Sequence, residues 1–199
     1  MRRKPLLLFL IKAILIYALL AAPFSFYDET YGKFYRKYGD RFFHRFHGNG
    51  LTIFSEGEEK FKTHVDVGNY TLVRADTTVD TVLSVVNTRS IGYLPTVLLI
   101  SLIISSPVSW KRKLMALLLG FVLLTSFIMF QLWILIIHLC AHNKSLNLYD
   151  FSKGQKNVID FTYNGIVVSG GFSWFIVVAI WLLVTIRKDD LMILYKKKL

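Results

Sequence analysis

The chain has 199 residues, 54% of them hydrophobic, and a net charge of +11 from 24 basic and 13 acidic side chains. Its mean hydropathy is +0.47, and its apolar residues gather into long blocks, which argues against an ordinary soluble domain of about 45–50% apolar residues. One cysteine excludes an internal disulfide framework and a paired-cysteine metal site. The basic residues sit beside the apolar blocks, as expected for anchoring at an anionic leaflet and not for nucleic-acid binding.

The first predicted span covers residues 5–24, PLLLFLIKAILIYALLAAPF. About 20 apolar residues cross a hydrocarbon core of about 30 Å. Lys12 interrupts the block near its inner end, where its long stem can snorkel toward the headgroups. The block is longer than a signal-peptide core and PFSFYDE lacks a small-x-small cleavage pattern, so residues 1–24 read as a retained anchor.

Residues 25–90 form the next segment, in which acidic and basic residues balance. In its first part Phe34, Tyr38, Arg41, Phe42 and Arg45 recur at helical spacing, predicting an interfacial or domain-packed helix over about 30–47 that ends at Gly48-Asn49-Gly50. Over 51–86 the pattern changes to short β-rich runs. In KFKTHVDV, Phe61, Thr63, Val65 and Val67 alternate with Lys62, His64 and Asp66, the signature of a half-buried strand. A meander of three or four antiparallel strands follows, too small to bury a core alone.

Three more spans are expected in residues 91–199: 91–109, 114–140 and 166–186. The 114–140 block would run roughly 40 Å as a helix, longer than the core, so it must tilt or protrude. Basic clusters at Arg2–Lys4, Lys111–Lys113 and Arg187–Lys188 with Lys196–Lys198 all fall on one side of a four-span arrangement. The positive-inside rule makes that side cytoplasmic, with both termini inside, residues 25–90 and the loop 141–165 outside, and a basic cytoplasmic tail. The expected fold is therefore a mainly α membrane protein. It has four transmembrane helices and a small extracytoplasmic α+β insertion, an antiparallel β meander, between the first and second.

Few residues carry obvious chemistry. HLCAHNK places His138 and His142 one helical turn apart at the outer end of the third span. Polar residues marking a helix end account for them. The alternative is a small membrane metal- or haem-binding protein in which His44, His47 or His64 completes a site, since two imidazoles alone fall short of three or four ligands. Cys140 lies off the face the two histidines share. No nucleophile–base pair, phosphate loop or paired carboxylates are present, so no catalytic residue and no cofactor is expected. Gly120, Ser169, Gly170 and Ser173 suit close helix packing, and Gln131 an interhelical hydrogen bond. A transport role is disfavoured because the spans carry almost no ionisable groups.

The stretch from residue 87 to 120, NTRSIGYLPTVLLISLIISSPVSWKRKLMALLLG, runs from Asn-x-Arg through Gly92-Tyr93-x-Pro95 and an apolar span to Pro107, basic residues and Gly120. This layout resembles the exosortase-associated membrane proteins of bacteria, such as the accessory protein found with exosortase H. The resemblance implies a multi-pass protein of the bacterial cytoplasmic membrane, accessory to an envelope protein-sorting enzyme, and it brings no catalytic residues with it. Exosortases use Cys, Arg and His in that order; here Arg89 precedes Cys140, so the chain is not the transpeptidase. The expected role is a non-enzymatic accessory or scaffold in contact with the bilayer and a larger membrane or envelope protein, possible contacts being Arg41, Arg45, Arg89 and Tyr93.

Overall fold

The computed structural model describes residues 4–22, 24–46, 48–73 and 79–186. The chain is mainly helical, with a small antiparallel sheet. In order it forms α1 (Lys4–Ala21), α2 (Phe24–Phe43), β1 (Arg45–Phe46), β2 (Gly50–Glu56), β3 (Lys62–Val73), β4 (Val79–Asn87), α3 (Leu94–Ser105), α4 (Trp110–His142), α5 (Lys153–Tyr163) and α6 (Gly170–Thr185). Short π-helical turns, Arg89–Tyr93 and Asn164–Val168, precede α3 and follow α5. Contacts divide the chain into two units. One takes in 1–24, 94–126 and 173–199; the other takes in 25–93 and 127–172.

The first unit holds α1, α3, the start of α4 and most of α6. Its core is Val97, Leu99, Ile103, Ala116, Leu124, Val177 and Ile180. Its outside is apolar as well: Leu7, Ile14, Leu15 and Leu19 of α1, Leu114 and Leu118 of α4, and Phe175 and Leu183 of α6 are all exposed. Gly120 is buried where a Cβ would stand 3.2 Å from Leu99 and 3.3 Å from Ile103, so α3 and α4 approach closely there. Phe9 stacks on Trp181 and Tyr17 meets Trp174 edge-on, which sets α1 antiparallel to α6. Arg112 donates to the carbonyl of Thr185 at the end of α6, and Lys113 donates to that of Ile104 near the end of α3. These cations satisfy carbonyls that helix ends leave open. The start of α1, the end of α3, the start of α4 and the end of α6 thus share one end of this unit. Among the described residues α4 alone is long and apolar enough to cross a membrane, and α6 is so only when counted with the helix before Ser169. Residues 7–21 and 89–105 make shorter apolar helices.

The second unit is built on a sheet of order β1-β2-β3-β4, antiparallel throughout. Register sets Thr52 beside Val67 and Val82, and Phe54 beside Val65 and Ser84. Thr52, Phe54, Thr63, Val65 and Val67 are buried on that face. Gly39 lets α2 approach it, since a Cβ there would stand 2.7 Å from the Phe54 ring, and Asp40 accepts the Phe54 backbone N–H.

Three expectations are corrected in this unit. The predicted helix over 30–47 ends at Phe43, because Gly48 takes φ +73 and turns Arg45–Phe46 back as β1 against Leu51 and Gly50. Phe61 does not continue the strand alternation. It adopts φ 67 in the turn before β3, where its carbonyl accepts both the N–H and hydroxyl of Thr88. The segment 141–165 is not a simple loop. Ser152 and Gln155 form a reciprocal capping box that starts α5.

Candidate functional site

Two surfaces of the second unit carry the functional possibilities. The first is the other face of the sheet. Alternation that buries Val65 and Val67 must turn their neighbours outward, and register aligns Ile53 with Asp66 and Leu83, and Ser55 with His64 and Val85. Leu83 is 52% exposed and Val85 49%, an apolar pair on β4, the strand at the sheet edge. An edge strand leaves a row of backbone N–H and C=O groups for another strand to pair.

The second is the end of α4 against α5. His138 and His142 lie one turn apart on α4, and α5 folds back so that Asp160 faces both. Asp160 Oδ1 is 2.6 Å from His142 Nε2 and 3.1 Å from His138 Nδ1. The His142 hydrogen bond is the main cause holding the Asp160 carboxyl below its ordinary value, with both imidazoles adding to it and desolvation opposing it. Tyr163 stacks on the His138 ring at 3.9 Å and 5°, which restrains rotation of the imidazole. Gln131, buried lower on α4, donates to the carbonyl of Ile166 in the π-helical turn that follows α5. Asn69 of β3 donates to the carbonyl of Leu146, which ties the loop after α4 to the sheet.

The other sequence candidates fall as follows. His44 is exposed between α2 and β1, and His64 is half-buried on β3; among the described residues the metal-type cluster is His138, His142 and Asp160, without either of them. His47 lies outside the described residues. Cys140 is buried and is not one of the cluster's ligands. Arg41 and Arg45 are exposed, Arg89 stands over the Phe61 ring at 5.1 Å, and Tyr93 is half-buried, edge-on to Tyr31. Ser173 is buried, whereas Ser169 and Gly170 are exposed. The helix breaks at Ser169, and a Cβ at Gly170 would meet nothing within 4 Å, so the small-residue contact rests on Ser173 and not on those two.

Sequence reasoning missed Asp160. It is 18 residues from His142, and it becomes a neighbour only once α5 exists. The capping box Ser152-Lys153-Gly154-Gln155 was the available signal for that helix. No protein family matches the chain, and neither a curated protein nor a solved structure is similar to it.

Proposed function

We propose that the chain is a four-span protein of the bacterial cytoplasmic membrane and works as a non-enzymatic accessory that docks a larger membrane or envelope protein on its extracytoplasmic sheet. An exosortase-type sorting enzyme is the partner that the resemblance in residues 87–120 suggests. The single observation that carries docking is the β4 edge with Leu83 and Val85 exposed beside it. A partner strand added there gains main-chain hydrogen bonds and covers both side chains.

Membrane insertion draws support from the first unit, whose outward Leu, Ile and Phe side chains suit hydrocarbon and not water. Its short helices require local thinning of the bilayer or interfacial ends, each a modest energetic cost. The gathering of α1's start, the Lys111–Lys113 link and α6's end at one end of that unit fits the distribution of basic residues. Arg41, Arg45 and the half-exposed Phe34–Tyr38–Phe42 stripe of α2 suit contact with anionic headgroups.

The test is purification of the full chain in mild detergent after cross-linking in cells. One defined membrane or envelope protein should accompany the wild type and be lost from Leu83→Lys and Val85→Lys, whose exposed positions leave the fold intact. Recovery that is unchanged by both substitutions contradicts docking at this edge.

A further inference from the structure

The cluster on α4 and α5 has features that a polar helix end does not need. Three side chains of metal-ligating type converge from two helices, and their ligand atoms all lie within 4.8 Å of one another. His138 Nδ1 is buried, stands 3.1 Å from Asp160 Oδ1, and yet is out of line for a hydrogen bond with it. A simple His142–Asp160 hydrogen bond explains the 2.6 Å contact but leaves that buried nitrogen in a close, poorly aligned contact with the same carboxylate. The two imidazole centroids are only 4.6 Å apart, so both rings can reach one ion beside the carboxylate.

The spacing suits such an ion after small side-chain adjustments: the ligand atoms lie within 4.8 Å of one another, and the separation between the two imidazole nitrogens must close to about 3.4 Å or less. Ligand bonds of about 2.1 Å to a divalent transition ion place neighbouring ligand atoms about 3–3.4 Å apart. The His138–Asp160 separation already falls in that range. The His142–Asp160 separation must open by about half an ångström to reach it, which the His142 side chain, 46% exposed, has room to do. Tyr163 stacking restrains the His138 ring, the sort of outer support that metal-ligating histidines receive. Two imidazoles and one carboxylate suit zinc or iron better than magnesium or calcium, which take oxygen ligands.

We propose that His138, His142 and Asp160 bind one divalent first-row transition-metal ion, with at least one coordination position left open to water or to a donor from outside the cluster. The proposal is independent of docking at β4. It is tested on the untagged full chain, purified in detergent, stripped with chelator and titrated with Zn²⁺ by calorimetry and with Co²⁺ by visible absorption. One equivalent should bind, with Co²⁺ ligand-field bands. His142→Gln and Asp160→Asn should each weaken binding by at least about tenfold, while His44→Gln and His64→Gln leave it unchanged. The two decisive substitutions lie on different helices, so each reports if the other misfolds, and gel filtration identifies a misfolded variant. Absence of saturable binding overturns the proposal. So does binding that survives both decisive substitutions, or binding that follows His44 or His64.

Discussion

Replacing Asn69 tests whether the loop after α4 is held by the sheet. Asn69 is 3% exposed; its Nδ2 donates to the Leu146 carbonyl at 2.9 Å, and its Oδ1 accepts from the Thr71 N–H at 3.0 Å and the Thr71 hydroxyl at 2.7 Å. Leu146 is itself buried. Asn69→Ala removes the bond to Leu146, a net loss of about 1 kcal/mol, and strands a buried carbonyl for about 1 kcal/mol more. Local opening of the 144–147 turn should then become easier by about 2 kcal/mol, or about thirtyfold in exchange rate where exchange proceeds through that opening. Asn69→Asp should act more strongly, because it sets a carboxylate oxygen against the Leu146 oxygen and buries a charge. Hydrogen–deuterium exchange with mass spectrometry on the detergent-solubilised chain reads both segments. Faster exchange at 144–147 and at Thr71, ordered Asp over Ala over wild type, is the expected result. A change below about threefold for both variants would refute the inference that this side chain pins the loop.

Gly39→Ala should destabilise the second unit by about 1–3 kcal/mol through overpacking against Phe54, and Phe54→Leu in the same chain should recover part of it, read as thermal midpoints in detergent. Ser152→Ala removes the capping box and should cost about 1 kcal/mol; faster amide exchange over the first turn of α5 checks it, and unchanged exchange contradicts the capping argument. Reporter fusions at residues 70 and 150 should report the extracytoplasmic side of the membrane and a fusion at 111 the cytoplasmic side; an extracytoplasmic signal at 111 contradicts the four-span reading.

Much of the sheet could be read from the sequence because period-two alternation is enforced by burial of one face: Thr63, Val65 and Val67 are fully buried, as the pattern requires. The apolar block of α4 was equally plain, since its composition leaves few other structures open. What could not be read depends on contacts between distant segments. Gly92 must stay small because Tyr31 crosses it, and nothing around Gly92 announces Tyr31. Two-residue β1 has no periodicity of its own; its pairing follows from the turn at Gly48. The cluster was half legible. Helical spacing joined His138 to His142, but Asp160 joined them only through the fold-back of α5; among the described residues neither His44 nor His64 belongs to that cluster.

Docking at the β4 edge is tested most directly by a photo-reactive residue placed at position 83 in living cells, with the buried position 67 as the internal control. The account predicts one discrete high-mass adduct with a membrane or envelope protein from position 83 and none from position 67. Adducts with lipid alone from position 83, or the same protein adduct from both positions, would contradict it.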